Sequence, residues 1–292
     1  MTNTLSNPLH IGVIGLGAMG NGMANSLRRA GHHVSVCDVR HEVAEAFARD
    51  GGTAHQTPAD LAKHVDIIVS VVVNADQTEQ VLFGKHGAAS HMKAGSLFIM
   101  CSTVDPNWSI ALEKRLNDLD ILYLDAPISG GAAKAASGQM TMMTSGQATA
   151  YAKAGNALES MATRVYKLGE HAGYGSKVKI INQLLAGVHI AAAAEAMALG
   201  LREGVAADAL YEVITNSAGN SWMFENRMAH VLKADYTPLS AVDIFVKDLG
   251  LVLDTARATK FPLPLSATAH QMFMQASTAG HGREEPQHLS LI

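Results

Sequence analysis

Five short apolar runs punctuate the first 125 residues, each separated from the next by a stretch of helical composition. They are Ile11 to Ile14, Val34 to Cys37, Asp66 to Val73, Ser96 to Met100 and Ile121 to Leu124. Strands that are apolar at successive positions, instead of alternating with polar residues, bury both faces. Helices between them supply the cover, and the result is a parallel sheet. After Gly138 the pattern changes: Gln139 to Thr144 and Arg164 to Leu168 read as short strands, and beyond Gly169 only helical stretches follow. The first of these runs from near Gly175 towards Arg202, with others at Asp208 to Thr215, Met223 to Leu232, Val242 to Thr259 and after Pro264. The expected architecture is an α/β Rossmann-type doubly wound sheet followed by an all-α domain, linked by a long interdomain helix. The domains are placed at residues 1–172 and 173–292.

The first strand–helix junction holds Gly15-Leu16-Gly17-Ala18-Met19-Gly20. In this context a G-x-G-x-x-G loop makes a tight turn at its first glycine and lets backbone approach a pyrophosphate at the second. The third allows close packing of helix on strand, and the helix N-terminus favours the phosphate charge. Alone the motif is also compatible with an ordinary turn; its place in a parallel sheet favours a dinucleotide. Asp38 ends the second run, at the distance where a carboxylate accepts hydrogen bonds from the adenine ribose. The same charge repels a 2′-phosphate, which favours NAD over NADP, although Arg40 two residues on could partly offset that.

Composition excludes several other classes. The chain of 292 residues is 48% hydrophobic and 16% charged, with a net charge of −4, so it is neither a disordered segment nor a basic nucleic-acid or membrane-surface binder. Cys37 and Cys101 are the only cysteines and form no metal-binding spacing, which suits a reducing cytoplasm. The fourteen histidines show no HxxxH pair in a convincing helix, so no metal is expected. The first ten residues lack the charge-then-apolar pattern of a signal peptide, and the apolar helix after Gly175 reads as buried rather than membrane-spanning.

Two clusters carry candidate chemistry. In Gly173-Tyr174-Gly175-Ser176-Lys177-Val178-Lys179-Ile180-Ile181-Asn182-Gln183, the residues Lys179, Asn182 and Gln183 fall at i, i+3 and i+4, a polar stripe on an apolar helix. Spacing alone favours an ordinary solvated lysine at 179, and Lys177 lies off the stripe. In Asp125-Ala126-Pro127-Ile128-Ser129-Gly130-Gly131, a strand end leads to a serine and two glycine amides, suited to a carboxylate and equally to a flexible turn.

Four ordered blocks, GLGAMGNGMA (15–24), DAPISGGAAKAASGQM (125–140), GYGSKVKIINQ (173–183) and FVKDLGLVLDTA (245–256), resemble the β-hydroxyacid dehydrogenase family over nearly the whole chain. The resemblance implies that Lys179 is the catalytic lysine, that Ser129, Gly130 and Gly131 hold the substrate carboxylate, and that Asn182 and Gln183 lie near its hydroxyls. It also implies that Val73, Asn74 and Thr103 line the cofactor with the glycine loop, and that Lys247, beside Asp248, reaches the cofactor. The alternative for Lys247 and Asp248 is a solvated charge pair on a helix. The segment Ser217 to Phe224, with Asn220 and Trp222, is a candidate substrate-facing wall, although Trp222 could equally be core.

Within that family the stretches VKIINQLLAGVHIAAAAEAMAL (178–199), NSAGNSWMFENRM (216–228) and DYTPLSAVDIFVKDLGL (235–251) resemble the branch acting on L-threonate. Gln183 stands where many members have a second asparagine, which fits a more hydroxylated substrate than 3-hydroxyisobutyrate. The implied reaction is NAD-dependent oxidation at C2 to the 2-oxo acid. The alternatives are oxidation of 3-hydroxyisobutyrate, reduction of tartronate semialdehyde, and a non-catalytic cofactor-sensing scaffold. The implied partner is a small hydroxy acid, with no nucleic acid or membrane. The long apolar helix suggests a homodimer or homotetramer.

Overall fold

A computed structural model describes residues 8–233 and 241–283. The start of the 235–251 block, Asp235 to Ser240, and most of the N-terminal decapeptide lie outside the described residues. The chain divides into two compact units, Met1–Lys179 and Ile180–Ile292.

In the first unit six strands form one sheet: β1 (His10–Ile14), β2 (His33–Cys37), β3 (Thr53–Ala54), β4 (Ile67–Ser70), β5 (Leu97–Met100) and β6 (Leu122–Asp125). Their order is β3-β2-β1-β4-β5-β6, every pairing is parallel, and Ile14 sits between Cys37 and Ser70 in register. Side chains alternate between two separate cores, as a period of two requires. On one face Val13, Val69, Ile99 and Leu124 join α1 (Gly20–Arg29) and α2 (His41–Arg49) through Met23, Leu27 and Phe47. On the other, Ile68, Phe98 and Tyr123 join α3 (Pro58–Ala62), α4 (Ala75–Phe83) and α5 (Pro106–Asn117) through Leu61, Leu82 and Leu116. The doubly wound parallel sheet expected from the runs is therefore present.

One departure from the sequence reading follows from pairing. The run Asp66 to Val73 is a strand only to Ser70, because Val71 donates to Ile14 and the chain then leaves the ladder. The last apolar runs do not extend the main sheet. The short β7 (Ile128–Ser129) pairs antiparallel with β8 (Met140–Thr144), and β8 pairs parallel with β9 (Ala162–Lys167) as a separate sheet. Around it lie α6 (Gly131–Ser137), α7 (Ala148–Ala154) and α8 (Ala157–Met161).

Helix α9 (Tyr174–Arg202) begins in the first unit and continues into the second, followed by α10 (Ala207–Thr215), α11 (Trp222–Leu232), α12 (Val242–Ala258) and α13 (Pro264–Ala276). No strand occurs among the described residues of the second unit. Length and hydropathy would also suit α9 to a membrane crossing. Within the second unit, however, Ile190 and Ala194 are buried against Leu249, Phe245 and Phe273 of α12 and α13, and Met197 against Phe224 and Met228 of α11. The rings of Phe245 and Phe273 stack with centroids 5.1 Å apart.

Candidate active site

The three loop glycines meet three different surroundings. Gly15 has φ +93°, a left-handed conformation that side chains disfavour, and its N–H donates to the Cys37 carbonyl at 2.9 Å. A Cβ on Gly20 would collide with the Gly15 carbonyl, so only glycine lets α1 start this close to the turn. A Cβ on Gly17 would meet nothing within 4 Å. That open space lies at the start of a helix and beside a cleft of about 840 Å³, whose lining includes Gly15, Gly17, Asp38, Arg40, Val73 and Asn74. The volume is that of a small-molecule cofactor site. An extended phosphate-bridged ligand fits the residues present, because Gly17 leaves its cradle unfilled and the N-terminus of α1 favours negative charge.

Asp38 is nearly buried, and both its oxygens are used. Leu16 N–H donates to Oδ2 at 2.6 Å, while Arg40 donates to Oδ1 from its backbone at 2.8 Å and from Nε at 3.3 Å. Burial pushes this carboxyl up, but the backbone N–H groups of Arg40 and Leu16 and the Arg40 guanidinium outweigh it and hold it below its ordinary range. Asp38 therefore keeps its charge and also ties the second strand to the glycine loop. Leu16 has its side chain in the core and contributes to the site through its backbone.

Other wall residues are shaped by capping. Asn74 is the N-cap of α4, its Oδ1 accepting from Gln77 N–H at 2.8 Å, and Gln77 Oε1 in turn accepts from Val73 N–H at 2.9 Å. Ser102 Oγ donates to the Val72 carbonyl at 2.8 Å and holds that loop from behind. Gln56, Gln80, Lys85 and His86 also line the cleft. No motif marks them, because they come from one helix, α4, and two loops that meet only after folding. Leu16, Ala18, Met19, Gly20 and Thr103 are not in the cleft wall, nor are Ser129 and Lys179.

The second cluster forms around Asp125, which is fully buried at the end of β6. Its Oδ1 accepts from Ser176 Oγ at 2.7 Å, and its Oδ2 from Gly173 N–H at 2.8 Å, Ser176 N–H at 2.9 Å and Ser145 Oγ at 3.2 Å. Ser145 Oγ also accepts from Gly175 N–H at 3.0 Å, and Glu113 accepts from Ala172 N–H at 3.2 Å. Burial raises the Asp125 carboxyl above its ordinary range, opposed by these donors, the Ser176 hydroxyl first. Two orphan N–H groups of the first turn of α9, those of Gly175 and Ser176, are thus satisfied by one hydroxyl and one acid. Lys179, three residues after Ser176, is buried on that same helix, whereas Lys177 is exposed and lies over the Tyr174 ring at 4.9 Å.

Four residues after Asp125 comes Ser129, then Gly130 at φ +140° and Gly131 at φ +77°, a backbone course that only glycines take readily. A Cβ on Gly131 would meet nothing within 4 Å. The helix that follows, α6, is docked on α1: Ser26 Oγ donates to the Ala135 carbonyl at 3.0 Å, and a Cβ on Gly22 would come within 2.6 Å of Ala136 N. The glycine loop and the Ser129 loop are therefore carried by two helices in direct backbone contact.

In the second unit Asp248 is 1% exposed and lies between two donors. Lys247 Nζ reaches Oδ1 at 2.6 Å and Gln183 Nε2 reaches Oδ2 at 2.6 Å, while Asn182 Nδ2 donates to Gln183 Oε1 at 3.0 Å. The solvated-pair reading of Lys247 and Asp248 is thereby corrected for Asp248, since the acid is withdrawn from water. In the proposed wall, Ser221 caps α11 through Phe224 N–H at 3.0 Å, Phe224 is buried, and Trp222 is half exposed rather than core. Among the described residues no group of three His, Cys, Asp or Glu is placed to hold a metal ion.

Two family models cover the chain. Residues 10–169 match the NAD-binding domain of 6-phosphogluconate dehydrogenase, and residues 173–291 match the NAD-binding model of NADP-dependent 3-hydroxyisobutyrate dehydrogenase. The chain belongs to the β-hydroxyacid dehydrogenase family. It is 67% identical to an L-threonate dehydrogenase of Cupriavidus necator over 94% of this chain and 93% of that one. It is 50% identical to an L-threonate dehydrogenase of Escherichia coli over 94% and 92%. Among solved structures, a 3-hydroxyisobutyrate dehydrogenase from Salmonella typhimurium superposes with a TM-score of 0.92 at 49% identity, covering 97% of this chain and 99% of that one. As a member of that family the chain is a dehydrogenase that binds a nicotinamide dinucleotide.

The open space at Gly17 and the blocked space at Gly20 give opposite expectations. Gly17→Ala should leave folding stability within about 0.5 kcal/mol and weaken NAD binding by about tenfold or more, since a methyl group in a binding contact is worth about 1–3 kcal/mol. Gly20→Ala should instead lower stability by about 1–3 kcal/mol through overpacking. Urea denaturation and fluorescence titration with NAD check both, and equal stability of the two variants would contradict the assignment.

Proposed function

We propose that this protein oxidises L-threonate at its C2 hydroxyl to the 2-oxo acid, with NAD as hydride acceptor. The observation that carries the mechanism is the buried Lys179 on a helix whose first turn is clamped to the strand end leading into Ser129. The choice of substrate draws its support from the relatives, five of which bear the name L-threonate dehydrogenase at 49–67% identity. Residues 1–172 form the cofactor domain in this reading and residues 173–292 the substrate and assembly domain.

Ser129 and the amides of Gly130 and Gly131 hold the substrate carboxylate, which fixes the adjacent C2 hydroxyl. Lys179 accepts the C2–O–H proton at Nζ as the C2 hydride leaves, so the C2–H and O–H bonds break and a C2=O bond forms. Bound NAD supplies the hydride acceptor. A general base must be unprotonated at that moment. Asn182 and Gln183 serve the hydroxyl-bearing end of the substrate, and Lys247, Val73, Asn74 and Thr103 serve the cofactor.

Initial rates with L-threonate, D-threonate and 3-hydroxyisobutyrate test the substrate, and the L-threonate value should exceed the others by at least about tenfold in kcat/KM. Lys179→Ala should lower kcat by about 10²–10⁴-fold while NAD titration shows binding retained. Unchanged turnover would remove Lys179 from the mechanism.

Asp38, held charged on the cleft wall, favours NAD. The expected kcat/KM ratio of NAD to NADP is about tenfold or more, since one hydrogen-bonded charge is worth about 1.5–3 kcal/mol. Asp38→Asn should bring the ratio down, and an unchanged ratio would move the determinant elsewhere.

Free thiols at Cys37 and Cys101, both buried, suit the cytoplasm. Ile181, Leu185, Leu199 and Leu201 are exposed along α9, which supports a homodimer or homotetramer. Light scattering should return two or four times the 30.8 kDa chain mass, and a monomer would refute the assembly.

A further inference from the structure

We infer that Asp248 sets, through Gln183, the direction in which Asn182 presents its amide, so that Asn182 offers an acceptor and selects a substrate carrying a hydroxyl donor there. The inference rests on the proposed hydroxy-acid oxidation and assigns Asp248 and Gln183 as positioning residues for it.

Asp248 is the group whose hydrogen-bonding direction is fixed by its chemistry. The Asp248 carboxylate, paired with Lys247 at 2.6 Å, can only accept hydrogen bonds. Gln183 must therefore turn its NH₂ towards Asp248 Oδ2, and it does so at 2.6 Å. That choice leaves Gln183 Oε1 facing the other way, where it accepts from Asn182 Nδ2 at 3.0 Å. Asn182 thus spends its donor end on Gln183. Among the described residues no donor reaches its Oδ1, and the side chain is only partly buried. A single buried charge fixes two otherwise reversible amides and leaves one acceptor to act outwards.

An acceptor there favours an O–H over groups that only accept, such as an ether oxygen, a carbonyl or a C–F bond. The length of Gln183 matters as well as its polarity. An asparagine at 183 would fall one methylene short of Asp248 and leave the amide of Asn182 without a fixed direction. Gln183 accordingly acts on specificity through Asn182, with its own NH₂ committed to the protein.

The test compares kcat/KM for L-threonate and for its analogue with fluorine in place of the C3 or C4 hydroxyl. The wild type should prefer the hydroxyl by about tenfold or more at one of those positions. Asp248→Asn retains an oxygen for Lys247 but turns an NH₂ towards Gln183, which reverses both amides, so the hydroxyl-over-fluorine ratio should fall at least threefold. Gln183→Met, which keeps length but carries no amide, should lower the same ratio, and it guards against the possibility that one variant fails to fold. NAD titration of each variant, with dissociation constants within threefold of wild type, separates loss of orientation from general collapse. An unchanged ratio in a folded variant overturns the inference. If the wild type ignores L-threonate but oxidises another hydroxy acid, the proposed substrate falls. The same ratio, measured with that acid and its fluoro analogue, still decides the role of Asp248.

Discussion

The carboxylate of Asp125 is the interaction on which the first unit's chemistry depends. A long helix presents unpaired N–H groups at its start, and burying them without partners costs about 1–3 kcal/mol each. Here the start of α9 is buried, and Asp125 takes Gly173 N–H, Ser176 N–H and Ser176 Oγ while Ser145 takes Gly175 N–H. The acid itself would be expensive to bury alone, so clamp and helix start stabilise each other. Gly175 completes the fit, because a Cβ there would press on the Met143 and Asp125 carbonyls. One turn later comes Lys179, whose placement therefore follows from the end of β6 rather than from loop packing.

The same strand end continues into Ser129, Gly130 and Gly131, and α6 after it rests on α1 through Gly22 and Ser26. Backbone contact of this kind leaves little play between the loop suited to phosphate and the loop suited to carboxylate. Two ligands held by these loops would be brought together at a fixed spacing, a large contribution to a reaction between them. Asp38 plays a comparable part at the glycine loop itself, since its bond to Leu16 N–H ties β2 to the turn it faces.

Much of this was legible in the sequence, and the reasons are specific. Strands buried on both faces announce themselves as unbroken apolar runs, so β1, β2, β4, β5 and β6 could be read directly. The glycine loop could be read because each glycine answers a separate steric demand. The two-residue strands β3 and β7 are too short to have a period. The run through Val73 overstated β4 because valine suits a cleft wall as well as a strand. Asp125 was visible as part of a motif, but its role was not, because its partners Ser145, Gly173 and Ser176 lie 20 to 51 residues away. Asp248 was hidden differently. Next to a lysine it looks like a surface pair, and only its partner 65 residues earlier, Gln183, reveals that it is buried.

Asp125 and Asp248 show why a protein with ample apolar core keeps acidic groups inside. Replacing a buried ion pair with hydrocarbon is often neutral or stabilising, so stability alone does not account for the Asp248–Lys247 pair. What an apolar side chain cannot do is impose direction. A carboxylate accepts and never donates, so every group that touches it must turn its hydrogen inwards. At Asp125 this fixes where a helix begins; at Asp248 it fixes which end of an amide is presented. In both units the buried acid restricts the arrangements available to neighbouring polar groups, and a site that must distinguish one hydroxylated acid from another gains more from that restriction than from a slightly larger core.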